Sequence, residues 1–153
     1  MKEKKAKANI LIVDDDVNIC KTLRLILEEN GYNVDIAHTG KEAVEKSKRK
    51  IYHAALLDIR LPDVQGTELL TSMRETTPKM VKIMVTGYPA LENAVNALNY
   101  GADAYIIKPV NPEKLIEVLE EKLREQKEKE VITEEKIAAF VKTRTEKLLQ
   151  ELQ

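Results

Sequence analysis

Residues 54–62, Ala-Ala-Leu-Leu-Asp-Ile-Arg-Leu-Pro, carry the pattern that decides the fold. An apolar run of strand length ends at Asp58, and Pro62 marks the loop that follows it. An aspartate at this point is either an unusual strand cap or a reactive group held at the rim of a buried sheet. The residues at the ends of the other predicted strands favour the second interpretation.

The rest of the chain alternates between short apolar runs and helical patterns. The other predicted strands are residues 9–13, 32–37, 81–85 and 104–107. The predicted helices begin after Asp16, at the capping-box pair Thr39 and Glu42, at Gly66, at Pro89 and at Asn111. Five strands alternating with five helices predict an α/β fold, a parallel sheet with helices on both faces. Ligands of such folds bind beyond the carboxyl ends of the strands.

The composition excludes several classes of protein. The chain has 153 residues, of which 43% are hydrophobic and 33% charged, with a net charge of -1. This balance argues against a dedicated nucleic-acid binder, and no apolar run is long enough to cross a membrane. Residues 1–7 lack the apolar core of a signal peptide, and Cys20 is the only cysteine, so no intramolecular disulfide forms. We expect a cytoplasmic protein.

The sequence changes character near Glu120. Residues 124–130 are almost entirely charged or polar and predict a solvated helix or a charged linker, and Thr133 predicts a new helix start. The following residues form an apolar stripe with helical spacing, interrupted by Arg144 and Thr145: Ile137, Val141, Leu148 and Leu152. We therefore expect a domain over residues 8–123 and a charged linker with an amphipathic helical tail over 124–153. The tail packs on the domain, on its copy in a homodimer, or on another partner.

Polar residues stand at the predicted ends of four strands: Asp14 and Asp15, Asp58, Thr86, and Lys108. Three carboxylates at one rim repel one another unless a cation lies among them, and Mg²⁺ prefers oxygen ligands of this kind. A lysine adds a mobile positive charge, and a threonine hydroxyl adds one donor. Together these groups predict a site for a phosphoryl group beside Mg²⁺, with a carboxylate available as the acceptor.

Four motifs at these strand ends resemble the receiver domains of two-component response regulators, the CheY-like family. They follow the family order over residues 8–123: Val13-Asp14-Asp15, Leu57–Pro62 with Gly66, Val85-Thr86-Gly87, and Gly101–Pro109. The resemblance implies a flavodoxin-like, doubly wound sheet of strand order 2-1-3-4-5. It also implies a signalling switch instead of an enzyme, with Asp58 accepting a phosphoryl group from a histidine kinase.

The resemblance further implies how the site works. Asp15, Asp58 and the backbone carbonyl of Arg60 would bind Mg²⁺, and Asp14 would assist through water. Lys108 would pair with the phosphoryl group.

The same resemblance implies a switch made by two residues. Thr86 would swing to hydrogen-bond a phosphoryl oxygen, and Tyr105 would turn inward into the vacated space. The surface formed by the fourth helix, the fifth strand and the fifth helix would then change its affinity for a downstream partner or for a second copy.

Two other functions stay open. A phosphatase of the haloacid-dehalogenase type would use Asp14 and Asp16 as nucleophile and acid–base, but the further acidic pair that such an enzyme needs does not follow Lys108. A silent receiver scaffold would act through its helical tail alone, and the complete set of site residues argues against it.

Overall fold

The structure is a computed structural model that describes residues 6–77, 79–87 and 101–152. Strands and helices alternate along these residues, in the order β1 Asn9–Val13, α1 Val17–Glu29, β2 Asn33–Ala37, α2 Gly40–Arg49, β3 Ala54–Leu57, α3 Gly66–Thr76, β4 Val81–Thr86, β5 Ala104–Ile107 and a C-terminal helix, Pro112–Glu151. The helix predicted to begin at Pro89 lies outside the described residues. The five predicted strands and the helix starts predicted after Asp16 and at Thr39, Gly66 and Asn111 are present, with strand ends and helix starts within about two residues of the predicted ones.

The strands form one parallel sheet in the order β2-β1-β3-β4-β5, which confirms the predicted fold class and strand order. β1 pairs with β2 on one side and with β3 on the other, so the strand order reverses at β1. The last residues of β1 and β3, Val13 and Leu57, lie opposite each other. The backbone N–H of Asp58 donates to the carbonyl of Val13 at 2.9 Å, so the strand pairing itself brings Asp14 and Asp58 to the same edge.

Two apolar layers cover the two faces of the sheet, because successive strand residues point to opposite faces. The layer beneath α1 and the C-terminal helix includes Ile10, Ile12, Leu56 and Ile83. The layer beneath α2 and α3 includes Leu11, Val13, Leu57 and Met84. Burial on both faces explains why these strands appear in the sequence as continuous apolar runs instead of alternating ones.

Helices α1 and α2 begin at the predicted capping residues. The Asp16 carboxylate accepts from two backbone N–H groups in the first turn of α1. The Thr39 hydroxyl accepts from the backbone N–H of Glu42 at the start of α2. The Glu42 carboxylate accepts from the backbone N–H of His38 instead of Thr39, so the predicted capping box forms with a shift of one residue.

The C-terminal helix differs from the prediction. Of the two states predicted for residues 124–130, the structure shows the solvated helix, and the predicted new helix start at Thr133 is wrong, because Pro112–Glu151 is one helix of 40 residues. The Thr133 hydroxyl donates to the carbonyl of Lys129 within that helix and caps nothing. Residues 124–132 are mostly Lys, Glu, Gln and Arg, which are good helix formers, and no glycine or proline among them ends the helix. Neither this helix nor any other described helix is long and apolar enough to cross a membrane.

Candidate functional site

An acidic cluster lies at the carboxyl ends of β1 and β3. Asp14, Asp15 and Asp58 each place one carboxylate oxygen so that the three oxygens lie within 4.8 Å of one another. Asp14 and Asp58 are 3% and 8% exposed, whereas Asp15 is exposed. Hard oxygen donors at the mouth of a site, with solvent on one side, suit Mg²⁺, which retains several of its waters when bound to protein. The residues present therefore fit the predicted metal ion.

Lys108 enters the same cluster from the end of β5. Its Nζ lies 2.8 Å from Oδ2 of Asp14 and 3.7 Å from Oδ2 of Asp58. The backbone N–H of Lys108 donates to the carbonyl of Thr86 at 2.7 Å, which holds the start of this loop against the end of β4. The peptide bond from Lys108 to Pro109 is cis. The structure thus brings together four of the residues predicted from the sequence, with the lysine shared between two carboxylates.

The pKa values of Asp58 and Lys108 are each set by opposing effects of burial and of neighbouring charges. Burial, and next the charge of Asp14, raises the pKa of Asp58, while Lys108 and the backbone N–H groups of Arg60 and Ile59 act in the opposite direction. Burial alone would lower the pKa of Lys108, but the hydrogen bonds and charges of Asp14 and Asp58 outweigh it, so this pKa is raised. Burial is the largest cause of the raised pKa of Asp58, and a divalent cation at the cluster would favour the ionised form of this carboxylate.

The loop after β3 is tied to the start of α2. The Asp63 carboxylate accepts from the backbone N–H groups of Gly40 and Lys41 at 2.8 and 2.9 Å, and these bonds lower the pKa of Asp63. A Cβ atom on Gly40 would overlap Cγ1 of Val64, so a larger residue at this position requires Val64 or its loop to shift. Arg60 forms a β-bridge within the same loop. The loop that carries the predicted carbonyl ligand of Arg60 is therefore fixed at its far end.

The backbone of Asp14 is held by contacts from two elements. Cys20 Sγ donates to the Asp14 carbonyl at 3.3 Å, and Nδ1 of His38 lies 3.0 Å from the same oxygen. The Asp14 carboxylate also accepts from the backbone N–H of Asp16 at 2.9 Å. Burial raises the pKa of Cys20 to about 11, which keeps the thiol protonated as a donor. The sequence pattern alone gives no function to Cys20 or His38, because their contact with Asp14 depends on how α1 and β2 pack.

Thr86 and Tyr105, the predicted switch residues, lie in the two adjacent strands at the edge of the sheet. Thr86 is fully buried at the end of β4, opposite Ile107 in the β4–β5 register. Tyr105 is half-buried against the layer beneath α2 and α3, and burial raises its pKa. Asp16, in contrast, caps α1 and is not a member of the acidic cluster. The fourth helix of the predicted switch surface lies outside the described residues.

Comparison with known proteins identifies the family to which the chain belongs. The family model of the response regulator receiver domain matches residues 10–120. The chain belongs to this family. A crystal structure of a CheY-like response regulator receiver domain protein from Methanospirillum hungatei JF-1 is 53% identical to it, covers 79% of this chain and 97% of that one, and has a TM-score of 0.76. The resemblance inferred from the four motifs is confirmed.

Curated relatives are longer than this chain. The transcriptional regulatory protein ZraR of Salmonella typhimurium is 35% identical over 124 residues, which cover 81% of this chain and 28% of that protein. The response regulator ArlR of Staphylococcus epidermidis is 36% identical over 124 residues, which cover 81% and 56%. The receiver domain thus spans only part of either relative. Receiver domains are signalling switches that accept phosphoryl groups from histidine kinases and bind Mg²⁺ at their acidic site.

Proposed function

We propose that this receiver domain is phosphorylated on Asp58 by a histidine kinase and acts as a phosphorylation-dependent switch. One observation carries the proposal: the Asp58 carboxylate lies within 4.8 Å of two other carboxylates and 3.7 Å from the ammonium group of Lys108. In the transfer, a carboxylate oxygen of Asp58 attacks the phosphorus atom and an acyl phosphate forms. The bond from phosphorus to the histidine nitrogen breaks, and that nitrogen keeps the electron pair. A cytoplasmic location is part of the same proposal.

Asp15, Asp58 and the backbone carbonyl of Arg60 would hold Mg²⁺ directly, and Asp14 would contact it through water. The bound ion supplies positive charge to the phosphoryl oxygens during transfer. The protein contributes the position of these ligands. The hydrogen bonds that the backbone N–H groups of Gly40 and Lys41 donate to Asp63 hold the loop of Arg60, and strand pairing holds Asp58 beside Asp14.

Phosphorylation converts the Asp58 carboxylate into an acyl phosphate that carries about one and a half to two negative charges at neutral pH, compared with about one on the ionised carboxylate. Lys108 then has a stronger partner than Asp14, and its ammonium group moves to the phosphoryl oxygens. The Thr86 hydroxyl donates to another of these oxygens, and Tyr105 turns inward. These movements alter β5 and the start of the C-terminal helix, together with the predicted fourth helix, and so change the affinity of this surface for its partner.

The distal half of the C-terminal helix supports self-association as one output. Its large apolar residues are exposed, for example Phe140 at 69% and Leu148 at 56%. The Thr145 hydroxyl donates to the carbonyl of Val141 at 2.9 Å, so its polar group is satisfied within the helix and does not interrupt the apolar face. The resulting tail stripe has the alternating three- and four-residue spacing of a coiled-coil seam: Ala138, Val141, Thr145, Leu148 and Leu152. A second copy of this helix is the proposed partner.

Covalent labelling tests the phosphorylation site. The protein is incubated with Mg²⁺ and acetyl phosphate, or with beryllofluoride, and the intact mass and amide NMR spectrum are compared for wild type, Asp58→Asn and Asp14→Asn. We expect an adduct in the wild type and none in Asp58→Asn. An adduct that survives Asp58→Asn but is lost in Asp14→Asn would instead favour a phosphatase-like nucleophile at Asp14. Absence of an adduct from the wild type would favour a silent scaffold.

A further inference from the structure

A cavity of about 710 Å³ lies at the edge of the sheet opposite to the acidic cluster. Ala8, His53 and Met80 line it, and these residues immediately precede β1, β3 and β4. Leu123 and Gln126 of the C-terminal helix form another wall. The cavity therefore lies between the amino-terminal edge of the sheet and the point where the helix leaves the domain, and the proposed phosphorylation does not use it.

The floor of the cavity is apolar. Ala8, Tyr52 and Met80 are among the buried residues of the core, and Leu123 packs against that core from the C-terminal helix. Apolar walls with a few polar groups at the mouth, in a space of several hundred cubic ångströms, are typical of small-molecule sites. This part of the cavity would hold the apolar body of a ligand.

The rim is basic. Four lysines from four separate segments line it: Lys7, Lys50, Lys79 and Lys127. Among the described residues, Glu130 is the only acidic residue in the lining. His53 adds a donor, because its Nδ1 accepts from the backbone N–H of Asn9 at 2.9 Å and the neutral ring then carries its proton on Nε2. The polar groups at the mouth are therefore mainly hydrogen-bond donors.

Two of the four lysines are already paired. Lys7 lies 3.7 Å from Glu120, and Lys50 lies 3.0 Å from Asp35. Within the described ranges, Lys79 and Lys127 have no carboxylate within ion-pair distance. Lys79 comes from the segment before β4 and Lys127 from the helix, so two lysines from separate segments line one cavity, whose lining includes a single carboxylate among the described residues, that of Glu130. Their combined field attracts an anion.

We propose that this cavity binds a small organic anion that has an apolar or aromatic body and a carboxylate, sulfonate or phosphate group. The apolar body lies against Tyr52, Met80 and Leu123, and the anionic group lies between Lys79 and Lys127. Such a ligand contacts both the domain and the C-terminal helix, so its binding stabilises the arrangement in which they are packed together. The site does not include Asp58, so ligand binding would affect the position of the C-terminal helix separately from phosphorylation.

Titration of the full chain with 8-anilinonaphthalene-1-sulfonate, an aromatic anion, tests the proposal by fluorescence. Lys79→Gln with Lys127→Gln removes the two free charges of the rim. Lys21→Gln with Lys136→Gln is the matched control, since it also removes one lysine from the domain and one from the helix. We expect the rim variant to weaken binding about fivefold and the control to leave it unchanged. N-phenyl-1-naphthylamine, the uncharged analogue, should bind the rim variant and the wild type equally.

Amide NMR spectra recorded in the same titration locate the probe. We expect shift changes at Tyr52, His53, Met80 and Leu123. Equal weakening in the two double variants would overturn the proposal, because general charge would then explain binding. Shift changes confined to residues 131–152 would also overturn it, since the probe would then be binding the tail stripe. Absence of binding by the wild type would overturn it directly.

Discussion

Lys108 is bonded more closely to Asp14 than to Asp58, with its Nζ 2.8 Å from the first carboxylate and 3.7 Å from the second. The nearer partner is thus not the proposed phosphoryl acceptor. A phosphoryl group at Asp58 would compete with Asp14 for this lysine, and the short distance between the two positions means that a small movement of one side chain is sufficient. Transfer of Lys108 from Asp14 to the phosphoryl group is the first event that the proposed switch requires.

Lys108→Gln is expected to increase the affinity for Mg²⁺ roughly tenfold, which corresponds to about 1.4 kcal/mol. The lysine partly neutralises Asp14 and Asp58, so its removal leaves the carboxylates with stronger mutual repulsion that a divalent cation relieves. Calorimetric titration with MgCl₂ measures this change. Lys21→Gln, which removes the same charge from the exposed face of α1, serves as the control. An unchanged affinity in Lys108→Gln would show that the lysine does not act on the cation site.

Leu148→Asp is expected to abolish self-association through the tail stripe, because it replaces a large apolar residue of the seam with a charge. Gln150→Asp adds the same charge two residues further, outside the stripe, and should have no effect. Light scattering across a concentration series measures the oligomeric state. The protein truncated after Leu123 should have the same oligomeric state as Leu148→Asp. An oligomeric state that truncation leaves unchanged would remove self-association from the functions of the tail.

Tyr52→Phe is expected to reduce the free energy of unfolding by about 1 kcal/mol at pH 7. The Tyr52 hydroxyl donates to the Asp35 carboxylate at 2.6 Å, and this bond is the largest cause of the lowered pKa of Asp35. The folded state thus favours the ionised carboxylate. This contribution to stability is fully present above the unfolded pKa of about 3.9, and is lost as the pH falls through the lower folded pKa.

Urea unfolding of wild type and Tyr52→Phe at pH 7 and near pH 3 measures that dependence. The difference in the free energy of unfolding between the two proteins should be smaller at the acidic pH. Asp35→Asn, alone and combined with Tyr52→Phe, completes a double-mutant cycle that isolates the pair. A difference that stays constant across this pH range would show that Tyr52 stabilises the fold by packing and not through Asp35.

Gly40→Ala is expected to destabilise the protein by about 1–3 kcal/mol, because the new methyl group would overlap Val64 at the loop that follows β3. Val64→Ala removes the overlapping atom, so the double variant should recover part of this loss. Chemical denaturation of the three variants measures it. If Gly40→Ala proves as stable as the wild type, the loop that holds Arg60 is less closely packed on α2 than the structure indicates.

Local patterns in the sequence were sufficient to predict the strands, the described helices of the domain and the members of the acidic cluster. Residues 10–13 and 54–57 are buried on both faces of the sheet, so every position in them is apolar. Such a continuous apolar run is a local pattern that can be recognised in the sequence alone. Asp14, Asp58 and Lys108 could be placed together because parallel strands that pair in register bring their carboxyl ends to one edge.

Contacts between segments that are distant in the chain could be identified only from the folded structure. Three features depend on how separate elements pack, which no periodic pattern encodes: the hydrogen bonds that Gly40 and Lys41 donate to Asp63, the pairing of Lys108 with Asp14, and the lysine-rimmed cavity. The continuous C-terminal helix is a different case. Its charged middle section is compatible with a helix or a linker, and a solvated segment of this kind is not constrained by a buried face, so the local sequence left both states open.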